Sequence, residues 1–299
     1  MPHLSLKRAH ISEDGTTKLL LDAGNAPLET VVIPTERRTT VCVSSQSGCA
    51  RGCTFCATAK MGLGRNLTAG EIVAQVVLAT NYAPASVPVR NVVFMGMGEP
   101  MDNLDEVLRA IDIMTEDAGL GLGARFITVS SVGVLPKMEE FVRRSRARLA
   151  ISLNATSDET RGEIMPVNRR WDIHELLDFI DRWATEDRPI LVEYILMAGV
   201  NDSLVDAQRL SQMMGGMAVR MNLIPLNPHP GSPFERPTPE SVDVFHRFLV
   251  SEGMAAFVRK PRGDEIAAAC GQLNRPEVRT NRSMKIQAAP SSPKGPQGI

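Results

Sequence analysis

From Thr39 onward the chain alternates short apolar β-type runs with stretches of helical periodicity, and this alternation is what most restricts its fold. Residues 39–44, 91–96, 126–130, 149–153, 190–196 and 219–224 read as strands, and 256–259 is a further candidate. Between them, about 68–82, 103–117, 137–144, 172–184, 204–214 and 240–251 carry apolar residues at helical spacing. Thr68 and Glu71 form a capping box at the first of these helices, whose apolar face is Ile72, Val73, Val76 and Val77. Repeated strand–helix units imply a parallel sheet covered by helices. About six units predict an α/β fold, a partial (β/α)6 TIM-like barrel rather than a closed eight-unit one. Ahead of it, the β-rich runs 18–21 and 29–33 flank a turn at 22–25 and predict a small β-hairpin extension. The expected organisation is an N-terminal extension at 1–38, a core at 39–275 and a low-complexity, disordered tail at 276–299.

Composition narrows the function. No run reaches the roughly 18 apolar residues of a membrane span. The N-terminus lacks the basic and apolar segments of a secretory signal. A net charge of −1 means that any nucleic-acid site must be a local basic patch. The five cysteines are Cys42, Cys49, Cys53, Cys56 and Cys270. A sparse, odd set without a leader argues against a disulfide framework and for a reducing, cytoplasmic setting.

Cys49, Cys53 and Cys56 have C-x3-C-x2-C spacing, with Phe55 before the last, on the loop after the first barrel strand. Three thiolates on one loop can hold three irons of a 4Fe–4S cluster and leave the fourth open to a ligand. A zinc site or three unrelated buried thiols are the alternatives. Gly96-Met97-Gly98-Glu99-Pro100 follows the second barrel strand. Its glycines would let a ligand approach the backbone, and Glu99 could accept from an ammonium group; an ordinary strand-to-helix turn is the plain reading. Ser130, Ser152, Asn154 and Asn227 also fall just past strands, where each can bind a ribose or carboxylate or simply cap a turn. In the stretch 259–273, Cys270 sits between alanines and a glycine, downstream of Arg259, Lys260 and Arg262. Those cations are expected to lower its pKa, or to hold RNA phosphates.

The spacing with its aromatic residue resembles the radical S-adenosylmethionine (SAM) superfamily. The chain as a whole resembles the RlmN and Cfr enzymes, radical SAM methyltransferases of adenine in 23S ribosomal RNA. The matching text runs from Glu29 to Leu273. It includes Val41-Cys42-Val43-Ser44-Ser45-Gln46-Ser47-Gly48-Cys49, Gly98-Glu99-Pro100, Met165-Pro166-Val167-Asn168, Gly199-Val200-Asn201-Asp202 and Ala268-Ala269-Cys270-Gly271-Gln272-Leu273. Proline after Glu99 is similar to the RlmN branch.

The resemblance implies methylation at carbon 2 of adenine, with tRNA as a second RNA substrate. It implies one 4Fe–4S cluster, two SAM molecules and an electron donor such as flavodoxin or ferredoxin. Cys270 would carry the methyl group as S-methylcysteine, and a 5′-deoxyadenosyl radical would activate it. Cys42 would release the product by forming a transient Cys42–Cys270 disulfide. Glu29 matches an acidic residue with a proton-accepting or adenine-positioning role. Gly98, Glu99, Ser130, Ser152, Leu153, Asn154 and Asn227 would line the SAM pocket. Two departures stand out. Only about 28 residues precede Glu29, where the family carries an accessory helical domain, and Asn154 replaces the usual His. A paralogue acting on another RNA or a small aromatic metabolite, and a non-catalytic iron–sulfur protein, are the competing readings.

Overall fold

The computed structural model describes residues 4–24 and 26–273, so the expected tail at 276–299 lies outside the described residues. Three strands come first: β1 (Ser5–Ile11), β2 (Thr17–Asp22) and β3 (Pro27–Pro34). They pair antiparallel in sequence order, and β3 pairs antiparallel with β4 (Thr39–Cys42), so the extension continues the main sheet. The polar, alternating sequence Ser-Leu-Lys-Arg-Ala-His-Ile hides β1 from a search for apolar runs; its burial is correspondingly uneven.

After β4 a two-stranded ribbon, β5 (Gln46–Gly48) and β6 (Leu63–Asn66), brackets the three cysteines. Helix α1 (Ala69–Thr80) starts at the expected capping box: Glu71 N–H donates to Thr68 Oγ1 at 3.3 Å, and Thr68 N–H donates to Glu71 Oε2 at 2.8 Å. Ile72 and Val76 are buried on it, but Val77 is exposed, contrary to expectation, because its side chain falls off the stripe facing the sheet.

The alternation then proceeds through β7 (Val89–Phe94), α2 (Leu104–Thr115), β8 (Ile127–Ser131), α3 (Leu135–Arg144) and β9 (Arg148–Ser152). It continues with α4 (Asp158–Ile164), α5 (Ile173–Trp183), β10 (Ile190–Leu196), α6 (Leu204–Met214), β11 (Val219–Pro225), α7 (Pro239–Ser251) and β12 (Ala256–Val258). The sheet order is β1-β2-β3-β4-β7-β8-β9-β10-β11-β12, and every pairing from β4 to β12 is parallel. Parallel strands with helical crossovers and two unpaired ends make a partial TIM-type barrel. The face of the sheet turned to the helices is filled by residues such as Val92, Val129, Ile151, Val192 and Met221, all fully buried. All loops that follow the parallel strands open on one end of the barrel, the end where such sheets bind ligands. No helix among the described residues is long and apolar enough to cross a membrane.

Candidate active site

At that end a cavity is lined by Cys49, Cys53 and Cys56 from the loop after β5, by Gly96, Gly98 and Glu99 after β7, and by Ser130, Ser152 and Glu193 from β8, β9 and β10. Cys270 and Gly271 close it from the C-terminal segment. Seven of the residues that the sequence singled out therefore meet on one wall-lined space together with Cys270: Cys49, Cys53, Cys56, Gly98, Glu99, Ser130 and Ser152.

The cysteine loop is held from several sides. Cys49 N–H donates to Gly62 O at 2.9 Å, Thr54 N–H to Ile164 O at 3.0 Å, and Ala57 N–H to Gly271 O at 2.7 Å. Burial pushes the Cys49 thiol up to about 11 and Cys53 further; the charges of Glu99 and Cys56 raise both, and Cys49 raises Cys53 as well. Cys49 and Cys53, buried side by side in this wall, need a strong local positive charge before they ionise together, and a bound metal would supply it. Among the described residues no three His, Cys, Asp or Glu side chains gather round a single ion position. Separate thiolates bonding separate irons make a different demand, which three side chains spread along one cavity wall fit.

Glu99 is buried, and burial raises its carboxyl to about 7 against the pull of the Val132 and Met101 N–H groups, which donate at 3.0 and 3.1 Å. A buried carboxyl balanced near neutrality suits an ammonium ligand, whose charge would drive it to the ionised form. The neighbouring glycines have a nearer reason than ligand approach. A Cβ on Gly98, whose φ is +102°, would stand 2.6 Å from Gln46 Cβ, and one on Gly96 would stand 2.7 Å from Val43 O. The turn must pass this close to β5 to present Glu99.

Several expected residues fall elsewhere. Leu153 and Asn154 are fully buried behind the cavity and do not line it. Asn154 has φ +59°, a left-handed conformation that Asn tolerates. Its side chain accepts from Ile195 N–H at 2.8 Å and donates to Met165 Sδ at 3.3 Å, so it ties the ends of two strands together. Asn227 accepts from Arg236 Nη2 at 2.8 Å, also away from the cavity lining. Glu29 is buried on β3 and pairs with Lys18 at 3.3 Å. Cys42 is buried on β4, beneath the cavity rather than on its lining. Its thiol is pushed up, first by burial and then by the charge of Cys270 and Glu193, which places all three within electrostatic reach.

Cys270 corrects the expected low pKa. Its thiol is accessible to the cavity, yet the surrounding protein and the charge of Glu193 push it up to about 11, and of the upstream cations only Arg259 pulls it down. Arg262 instead faces Asp14 at 3.6 Å.

Two charged residues went unnoticed in the sequence. Glu193 sits in the middle of an apolar strand, where a lone polar residue among apolar ones was the available signal. Arg161 is fully buried and donates to the carbonyls of Val132 at 2.7 Å, Ser152 at 3.2 Å and Leu153 at 2.9 Å. It also donates to Asn168 Oδ1 at 2.8 Å, and burial lowers its pKa to about 10. It locks the strand-end loops that carry the cavity serines, and it explains why the segment Met165-Pro166-Val167-Asn168 is built as it is.

The fold and the three-cysteine cavity define a radical SAM enzyme, and the radical SAM superfamily profile matches residues 43–210. A curated relative from Geobacter sulfurreducens, named dual-specificity RNA methyltransferase RlmN, is 48% identical over 273 residues, covering 90% of this chain and 74% of its own length. A relative of the same name from Francisella tularensis subsp. novicida is 44% identical, covering 88% and 73%. The crystal structure of a radical SAM methyltransferase from Sphaerobacter thermophilus superposes with a TM-score of 0.87 at 44% identity, over 91% of this chain and 81% of that one. This chain belongs to the RlmN family and is a radical SAM methyltransferase.

Proposed function

We propose that this enzyme methylates carbon 2 of an adenine in RNA, with 23S ribosomal RNA and tRNA as substrates, through S-methylcysteine at Cys270. The observation that carries the reading is the position of Cys270, which opens onto the same cavity as Cys49, Cys53 and Cys56, with Cys42 buried within electrostatic reach of it. The names of the relatives supply the substrate class. Cys49, Cys53 and Cys56 would hold the 4Fe–4S cluster, and Gly98, Glu99, Ser130 and Ser152 the SAM bound against it. Held by Cys49, Cys53 and Cys56 and reduced by a flavodoxin- or ferredoxin-type donor in the cytoplasm, such a cluster would supply the electron for reductive cleavage of SAM.

The remaining chemistry belongs to the chain. Glu99 receives the amino group of SAM. Cys270, as thiolate, takes a methyl group by displacement from one SAM molecule. Activated by a second SAM, the Cys270 methyl carbon would bond to carbon 2 of adenine, which has no acidic proton for a polar route; Cys42 would assist removal of the ring proton, and the remaining electron would return to the cluster. Cys42 attacks Cys270 and frees the product, leaving a transient disulfide. Leu153, Asn154 and Asn227 act by holding the strand ends, and Glu29 by its pair with Lys18.

The test is mass spectrometry of the Cys270 peptide from anaerobically purified enzyme. A SAM-dependent gain of one methyl group is expected, and the Cys42→Ala variant should retain a covalent RNA adduct at Cys270. Active, cluster-loaded enzyme with unmodified Cys270 would sink the reading.

A further inference from the structure

Glu193 has no role in the scheme above, yet it is a buried carboxylate on the lining of the same cavity. In the parallel register Ser152, Glu193 and Asn222 stand side by side on β9, β10 and β11. Registered neighbours project to the same face of a sheet, and Glu193 lines the cavity, so this row faces the barrel interior. Ser130 donates to Glu193 Oε2 at 2.6 Å, and Ser152 reaches the same oxygen at 3.5 Å. Both hydroxyls fall on Oε2, which leaves Oε1 for another donor. Beside it, Asn222 is 4% exposed and its Nδ2 has no hydrogen-bond partner. A buried orphan amide in a row that faces a cavity marks a polar layer built for more than packing.

The strands explain what this layer reaches. Cys42 lies on β4, and the backbone of Met95, which lines the cavity, stands close enough to pull its thiol down against burial. β4 and β10 are separated in the sheet by β7, β8 and β9, so residues on them interact only across the barrel interior. The Glu193 charge acts on Cys42 and on Cys270 alike. Glu29, by contrast, does not line the cavity and is engaged with Lys18.

We propose that Glu193 is the base that takes the Sγ proton of Cys42 when that thiol releases the methylated product from Cys270. The inference rests on the S-methylcysteine reading. The step balances within the site. The proton moves from Cys42 Sγ to the Glu193 carboxylate. The thiolate electron pair forms the bond to Cys270 Sγ. The bond from Cys270 Sγ to the methylene carbon breaks, and its pair stays on that carbon, which takes a proton back from Glu193 and becomes the methyl group. The two sulfurs are oxidised to a disulfide and the carbon is reduced, so no outside oxidant enters. Burial holds the Glu193 carboxyl above its ordinary value against the pull of the Ser130 hydroxyl, the Arg259 cation and the Ser152 hydroxyl, which suits both receiving and returning a proton.

The experiment compares holoenzyme variants co-expressed with the substrate RNA. Glu193→Gln keeps an acceptor for the serines and removes the base. It should keep Cys270 methylation and accumulate the covalent Cys270–RNA adduct, with turnover lowered at least about 100-fold. Release of that adduct should accelerate roughly tenfold per pH unit, because the Cys42 thiolate then depends on hydroxide alone. Glu193→Asp should release it faster than Glu193→Gln, and Glu29→Gln should not trap it. In cluster-free protein, iodoacetamide should alkylate Cys270 faster in Glu193→Gln, since a negative neighbour is gone. Adduct release at the parental rate in Glu193→Gln, pH-independent release, or trapping by Glu29→Gln instead would overturn the assignment. If Cys42→Ala traps adduct and Glu193→Gln does not, only Glu193 loses its role. If Cys42→Ala traps none, the S-methylcysteine reading itself fails.

Discussion

Two loops meet across the cavity and are built on opposite principles. The cysteine loop, 49–56, is short and framed by its own ribbon, β5 with β6. The Cys270 segment, 263–273, has one short 3-10 turn as its regular structure. It also contains three left-handed residues, Gly263, Ala267 and Gly271, at φ +60°, +52° and +82°. Ala57, Thr58 and Arg236 bond it locally, at Gly271, Leu273 and Asp264, and a further set of anchors comes from the other end of the chain. Lys18 donates to Ala267 O at 3.3 Å, Glu13 N–H donates to Glu265 at 2.9 Å, Ser12 bonds Glu265, and Gly263 N–H reaches Asp14 at 3.4 Å. The N-terminal strands are thus a brace for the segment that carries Cys270. The difference teaches that one loop can be specified locally because it needs only spacing. The other must be delivered to the cavity by distant strands, and its near-absence of regular structure leaves it the softer of the two.

The comparison breaks most sharply through the cysteines themselves. Cys53→Ala should abolish iron content and activity together, whereas Cys270→Ala should abolish methylation and keep the iron; anaerobic iron analysis and absorbance separate them. Next comes the brace. Lys18→Met leaves the buried carboxylate of Glu29 without this cation and should cost about 3 kcal/mol. Adding Glu29→Gln should recover most of it, as read by denaturant unfolding. In hydrogen exchange, the Lys18 variant should loosen 263–272 before it loosens 49–56.

Glu99 gives a smaller effect, on the cavity wall the loops share. Its folded-state carboxyl lies near 7, so the ligand-free site is neutral below that pH and ionised above it. An ammonium ligand favours the ionised form, so SAM affinity should rise about tenfold from about pH 6 to about pH 8 and then level off. Calorimetry at several pH values should find that dependence lost in Glu99→Gln. The smallest change is Ala267→Gly. It removes a left-handed alanine worth about 1–2 kcal/mol of strain and adds about 0.5–1 kcal/mol of unfolded-state entropy. Thermal melting should show a net gain between about 0 and about 1.5 kcal/mol.

What could be read in advance follows the same division. Helix α1 was legible because Thr68 and Glu71 act within one turn. The barrel strands were legible because buried parallel strands are near-continuous apolar runs. β1 was not, since its polar alternation gives no such run, and α4, seven residues long, is too short for a periodic stripe. In the site, Cys49, Cys53 and Cys56 announced themselves by spacing. The tasks of Asn154 and Asn227 did not follow from sitting just past a strand, because that position does not say on which side of the strand end a side chain is used.

By itself the sequence determined the barrel class, the three-thiol loop and, by resemblance, a methyltransferase of the RlmN family. These depend on periodicity and spacing, which are local quantities. Only the tertiary structure decided that Glu193 shares a polar row with Ser152 and Asn222, that Arg161 locks three strand-end carbonyls, and that the N-terminal strands hold the Cys270 segment. Each of these joins residues from different strands or from opposite ends of the chain. Such contacts arise from sheet register and chain closure, and neither is written in any one stretch of sequence.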